Sequence, residues 1–130
     1  MEFGTYDITE HADELAGAAA NHEVGTKLLF ENDRVKVWEI DLAPGERAPF
    51  HTHAHPYFFV CVEAGRSCSR FPDGNQVTND NAVGDTWFDE VGDGPHVHDL
   101  ENVGGTRLRF TTVELLAASA HQPHPGETTR

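Results

Sequence analysis

The sequence predicts an all-β barrel or sandwich with a short N-terminal helical arm, and three observations predict it. From Thr26 onward, short runs rich in Val, Ile, Phe, Trp and Thr are broken at regular intervals by clusters of Gly, Pro, Asn and Asp. No segment is long and periodic enough to supply the crossover helices of a parallel sheet. A chain of 130 residues, 38% apolar with eight Phe and two Trp, suits one domain around one core.

The elements follow in order. Residues 1–25 read as an arm, because Asp7 to Ala20 (DITEHADELAGAAA) is rich in helix formers. Thr9 is its candidate cap, and its apolar residues are too small and sparse for a core helix. Residues 26–116 read as the barrel. Its strands are predicted over Lys27 to Glu31, Val35 to Leu42, Ala48 to His53, Tyr57 to Glu63 and Ser67 to Pro72, then over Asn75 to Asn79, Thr86 to Glu90, His96 to Asn102 and Arg107 to Leu115. The segments between them, such as Ala43-Pro44-Gly45-Glu46 and Pro72-Asp73-Gly74-Asn75, carry turn chemistry. Residues 117–130, polar and with His121, His124 and two prolines, read as a tail.

Asp and Glu outnumber Lys and Arg by 22 to 9, a formal net charge of −13. Such a surface repels phosphate backbones and anionic headgroups, which excludes nucleic acid and membrane surfaces as expected partners. The N-terminus MEFGTYDITEH lacks a basic region followed by an apolar run, so the cytoplasm is the expected compartment. Cys61 and Cys68 flank the turn residues Ala64-Gly65, where a hairpin would set them opposite each other. A disulfide is conceivable there, and free thiols are the expectation for a reducing compartment.

Histidine is the most informative residue type. Nine occur, and five lie in two tight clusters, His51-Thr52-His53-Ala54-His55 and His96-Val97-His98. Side chains two apart on a strand share a face, so His51 and His53 can present two imidazoles to one ion, and so can His96 and His98. Divalent first-row metals accept imidazole readily, and two such pairs suffice for a three- or four-ligand site. Three neutral imidazoles leave the full charge of a divalent ion uncompensated, making it a stronger Lewis acid with positions open to a substrate.

The residues framing these clusters resemble the cupin superfamily, whose first motif is G-x5-H-x-H-x(3,4)-E-x6-G and whose second is G-x5-P-x-G-x2-H-x3-N. Gly45, His51, His53 and Gly65 match the first, and Gly84, His98 and Asn102 match the second with a rearranged middle. The resemblance spans roughly Leu28 to Leu116 and implies a double-stranded β-helix, or jelly-roll, barrel. It also implies His51, His53 and His98 as ligands of a divalent metal. Phe58 stands where the family places its metal-binding glutamate, and Glu90-Val91-Gly92-Asp93-Gly94-Pro95 replaces the PxG element. His96 is therefore an alternative to His98, and His55 a candidate for the missing fourth ligand.

Three-histidine cupins similar to this pattern include non-haem iron dioxygenases. The leading functional expectation is thus an Fe(II)-dependent dioxygenase acting on a small, chelating, anionic organic substrate, with Mn, Ni, Zn or Cu as other candidate metals. A non-redox isomerase, lyase or decarboxylase and a non-catalytic binding barrel are the alternatives, since a fold does not select a reaction. The resemblance also implies a homodimer.

Further residues complete the candidate site. Tyr57 offers a hydroxyl for a hydrogen bond or a proton, and Phe58 an apolar wall over the metal. Arg47 shares the parity of His51 and His53, and a substrate carboxylate is its candidate partner. Trp38 and Trp87 read as packing residues. Asp99 and Glu101 alternate away from His98 and read as surface charges.

Overall fold

The short, turn-punctuated runs fold into ten strands in a computed structural model that describes residues 1–92, 94 and 96–116. They make two five-stranded antiparallel sheets. One runs β1 (Glu2–Thr5), β7 (Asn75–Asn81), β6 (Gly65–Arg70), β9 (His96–Asn102), β4 (Arg47–His53). The other runs β2 (Lys27–Glu31), β3 (Val35–Leu42), β10 (Leu108–Leu115), β5 (Tyr57–Glu63), β8 (Thr86–Asp89). Successive strands from β3 to β6, and again from β7 to β10, change sheet at each connection. The two sheets therefore wind together as a double-stranded β-helix. The tail predicted over 117–130, with His121 and His124, lies outside the described residues.

Period-two burial on β10 shows how the core is made. Leu108, Phe110, Thr112 and Glu114 are buried, and the residues between them are half-buried on the other face. Leu108 and Phe110 pack with Ile40 and Leu42 of β3, Cys61 of β5, Ala48 of β4 and Leu100 of β9, so the core sits between the sheets.

The glycines of the resemblance have identifiable duties. Gly45 and Gly84 hold φ of 85° and 91° in the turns before β4 and β8, a left-handed conformation that a side chain disfavours. At Gly65 a Cβ would stand 3.2 Å from Leu108 Cδ1, so a side chain there would press on the core leucine where β6 begins. Asn102, fully buried, acts as a clamp. Its Nδ2 donates to Leu42 O (2.9 Å) and Thr106 O (2.8 Å), and its Oδ1 accepts from Gly104 N (3.0 Å), tying the end of β3 to the β9–β10 loop.

The N-terminal segment does more than its composition suggests. No strand is predicted before Lys27, yet β1 pairs with β7 from Glu2↔Thr78 to Thr5↔Asn75. The helical part is short: two 3₁₀ turns, Ile8–His11 and Ala18–Ala20, flank the helix α1 (Ala12–Gly17). Asp7, not Thr9, caps it, its Oδ1 accepting from Thr9 N at 3.0 Å.

This arm covers the free edge of β4. Glu14 Oε2 accepts from Phe50 N (2.7 Å), Asn21 O accepts from Thr52 N (2.7 Å), and Asn21 Nδ2 donates to Phe50 O (3.0 Å). An edge strand's open donors and acceptors are thereby satisfied. Phe50 and Thr52 are buried under the arm while His51 and His53 face the interior.

Cys61 lies on β5 and Cys68 on β6, in different sheets. The Ala64-Gly65 segment is a corner between sheets rather than a hairpin, and both thiols are free and buried.

Replacing Asn102 by Ala removes the side-chain partner of three backbone groups, one of them in a fully buried bond, at a cost of about 1–3 kcal/mol. Urea unfolding followed by far-UV circular dichroism should show the midpoint falling accordingly, with the slope unchanged.

Candidate metal centre

Pairing between β4 and β9 assembles the site. His51 stands opposite His98, and His53 opposite His96, so all four histidines begin on one face of one strand pair. Three converge. His53 Nε2 lies 3.1 Å from His51 Nε2 and 3.0 Å from His98 Nε2, and the three side chains form a group able to hold one ion. Donor spacings of about 3 Å are those of ligands placed about 2.1 Å from a common ion.

Proton bookkeeping also favours a cation at this point. His51 Nδ1 lies 2.7 Å from Pro49 O; a carbonyl only accepts, so the proton sits on Nδ1 and the Nε2 lone pair faces inward. Burial pushes His51 below its ordinary value, against the opposing pull of that carbonyl. His53 is driven far down by burial and then by the neighbouring imidazoles, and His98 down to about 3 by the same causes. Three neutral rings facing each other have too few protons to satisfy their inward nitrogens. A divalent ion is the group these donors fit, and His51, His53 and His98 would hold it.

The rings are held by packing. Tyr57 stacks on His53 with centroids 3.8 Å apart and planes 15° apart, and Phe71 stacks on His98 at 6.2 Å. The Pro49 carbonyl fixes the orientation of His51, the outer-partner arrangement common at metal sites. His53 has no such partner, because its Nδ1 is buried and unpaired.

A cavity of about 830 Å³ leads from the surface to His98, and a smaller one of about 70 Å³ surrounds the three rings. Its walls are mostly apolar, from Phe59, Phe71, Pro72, Val77, Trp87 and Val97, with Ser69, Asn79 and Asn81 as polar points. Asp89 lies at its edge and joins two of the predicted residues. Its carboxylate accepts from the Tyr57 hydroxyl, and its Oδ2 lies 3.0 Å from His96 Nδ1. Burial and then the Asp89 charge push the Tyr57 phenol well above its ordinary value, so it stays a hydroxyl at neutral pH.

Several expectations are corrected here. Phe58 does not line either cavity: Tyr57 and Phe59 turn inward, so Phe58 between them faces out, opposite Phe88 and Val113. Arg47 is not in the site either. The register of β4 shifts between Ala48 and His51, and this bulge inverts the parity that placed Arg47 beside the histidines. Ala48 joins the core instead, and Arg47 turns to the arm, binding Glu14 and Asp99.

Asp99 does alternate away from the metal cluster, but it is fully buried. Arg47, Arg70 and the Arg70 N–H surround it, with contacts of 2.9, 3.2 and 2.7 Å. His55 follows the end of β4 and stands outside the three-ring group. His96 is a wall residue, Trp38 packs in the interior with Nε1 donating to Glu114 (2.8 Å), and Trp87 is 56% exposed on the cavity wall. Sequence reasoning missed Ser69, Asn79, Asn81 and Asp89 in the site. The alternation Val77, Asn79, Asn81 is the signal that marks an inward face of β7.

The molecule is thus a double-stranded β-helix barrel with a three-histidine group, two of its rings buried, that borders a cavity. It has the cupin fold, in a form where Phe58 occupies the sequence position of the family's glutamate and faces away from the site. A cupin domain from Bordetella pertussis is 26% identical, covers 70% of this chain and 91% of its own, and superposes with a TM-score of 0.63. A cupin 2 conserved barrel domain protein from Salinispora arenicola is 20% identical over 71% of this chain and 75% of its own, with a TM-score of 0.54. A cupin superfamily protein from Desulfitobacterium hafniense is 16% identical over 70% and 75%, with a TM-score of 0.53. No protein-family model matches the sequence, and no curated protein matches it. Among the described residues no helix is long and apolar enough to cross a membrane.

The lowered histidines make stability depend on pH. The folded state favours neutral rings, so their contribution is full above the ordinary value near 6.5 and is lost as pH falls toward the folded value, about 3 for His98. Between pH 6.5 and 5 the metal-free protein should lose up to about 1.4 kcal/mol per pH unit from His98. Urea unfolding at pH 7, 6 and 5 measures this, and a flat profile would contradict the buried neutral cluster.

Proposed function

We propose that this protein is a metal-dependent enzyme acting on a small organic molecule, with oxygenation on Fe(II) as the leading reaction. The observation that carries the reading is the convergence of three neutral imidazoles at the inner end of a cavity large enough for a substrate. Among the described residues three side chains converge, which leaves positions for a substrate, the pattern of a reactive rather than a structural site. A bound ion supplies Lewis acidity there and, as iron, the capacity to activate dioxygen. The protein's own residues supply the rest: Phe59, Phe71 and Trp87 exclude water and receive apolar substrate surface, while Ser69, Asn79 and Asn81 orient polar groups.

The same lining redefines the expected substrate. No lysine or arginine lines the cavity among the described residues, and Arg47 is committed to Glu14 and Asp99. Asp80, Asp85 and Asp89 make its field negative. A neutral, largely apolar chelating molecule fits better than one relying on a free carboxylate.

A second reading is favoured by one observation. Tyr57, Asp89 and His96 form a hydrogen-bonded array beside the three rings, with a hydroxyl and an imidazole joined through one carboxylate. Such an array moves protons, as a non-redox isomerase or lyase requires.

The test begins with elemental analysis of protein purified without an affinity tag, then loaded anaerobically with Fe(II), Mn, Ni, Zn or Cu. About one ion per chain is expected, falling at least tenfold in His51→Ala. Absence of stoichiometric uptake for all five metals would overturn the enzyme reading. With metal bound, dioxygen consumption by the Fe(II) form on neutral diketones and thiols supports oxygenation. Turnover without dioxygen uptake, lost in Tyr57→Phe while metal content holds, supports proton transfer instead.

A further inference from the structure

Each of the three rings leans on a different outside group. His51 has the Pro49 carbonyl, and His53 has the Tyr57 ring, which the Asp89 carboxylate holds in turn. Among the described residues no hydrogen bond reaches Nδ1 of His98. Its outside support is the Phe71 ring, 6.2 Å away between centroids with the planes 14° apart. Whatever holds Phe71 therefore orients the third ring.

Phe71 stands one residue beyond β6, where parity with Ser69 turns its side chain into the cavity. Pro72 follows with no N–H for the ladder, and Phe71-Pro72-Asp73-Gly74 makes a turn. Gly74 N donates to Phe71 O (3.1 Å) and Phe71 N to Asn75 O (2.9 Å), with Gly74 at a φ of 91°. Tyr6 of the arm spans this turn. Its N–H donates to Gly74 O (3.0 Å) at one end, and its hydroxyl donates to Phe71 O at the other. The Tyr6 ring packs against His11 and Phe50, with centroids 5.8 and 6.3 Å away, so the hydroxyl cannot swing aside without losing that packing. Burial and then the Asp99 charge hold the phenol above its ordinary value, so it remains a donor at neutral pH.

We propose that Tyr6 is a positioning residue of the metal centre, setting the orientation of His98 through Phe71. The inference rests on the metal reading of the three rings. The bond to Gly74 fixes where the turn stands, and the hydroxyl fixes the end from which the Phe71 ring projects. Losing the hydroxyl frees that end and leaves the turn's own hydrogen bonds intact. An imidazole that can rotate out of line releases its ion sooner, which is how outer partners act on metal affinity. Phe71 also lines the cavity, so the same hydroxyl sets one part of the wall that meets a substrate.

Two measurements on the full chain test this. In the metal-free protein, proton and carbon NMR of the histidine rings should show His98 ring protons shifted in Tyr6→Phe, and by more than those of His51. With Co(II) as the probe, release of the ion to excess chelator, followed by its visible absorption, should be at least about tenfold faster in Tyr6→Phe. Phe71→Leu should release it as fast, and the double variant no faster than Phe71→Leu alone, because the hydroxyl acts only through that ring. Asp7→Ala, which removes bonds within the same arm, should match the unmodified protein in both measurements. Unmoved His98 protons or an unchanged release rate in Tyr6→Phe would overturn the proposal. So would additive effects in the double variant, or an Asp7→Ala that reproduces Tyr6→Phe. If the unmodified protein takes up no Co(II), the metal reading fails instead, and the His98 protons of the metal-free protein still decide the role of Tyr6.

Discussion

The register between β4 and β9 is the constraint on which the site depends. Setting His51 opposite His98 puts donors that are 47 residues apart in the chain onto one inward face, and a slip of one residue would turn every ring toward the arm. What holds the register is the burial of β4 on both sides. His51 and His53 fill the interior while Phe50 and Thr52 are covered by the arm, so neither face can exchange with the other without exposing aromatic surface or burying unpaired backbone groups.

The arm is consequently part of the site without touching it. Glu14 binds both the Arg47 guanidinium and the Phe50 N–H, and Arg47 in turn reaches Asp99 on the neighbouring strand β9. This chain of contacts closes over the strand pair that carries all three histidines. Removing Asp99 from water costs energy that Arg47 and Arg70 offset only in part, since burial holds its carboxyl above the ordinary value in spite of them.

Most of the architecture was legible in the sequence because it follows from period-two patterns and turn residues. Strands such as Lys27–Glu31, Val35–Leu42 and His96–Asn102 lie where alternation places them, and the histidine clusters announced themselves through strand parity. The misreadings share a physical origin. Parity is a local rule, and the bulge after Ala48 resets it, which is why Arg47 was assigned to the wrong face. The family position of Phe58 places it at the metal, whereas alternation along Tyr57-Phe58-Phe59 sends it outward. Asp99 reads as a surface charge because nothing in its neighbours reveals that an arm some 85 residues earlier will fold over it. The short β1 strand depends wholly on pairing with β7, a long-range contact that local propensity does not encode.

The wall carrying Trp87 and Asp89 belongs to β8, a four-residue strand hydrogen-bonded on one side only. The barrel's core residues come from β3, β4, β5, β9 and β10, so this wall contributes nothing to that cluster. The part of the cavity wall that β8 supplies therefore lies outside the strands that make this core cluster, whereas Phe59 of β5 serves both. A lineage can retune what enters the cavity by altering Trp87 or Asp89 while leaving the scaffold and its three imidazoles untouched. Adaptability of this kind follows from placing part of the cavity wall at the periphery of a sheet whose centre does the folding.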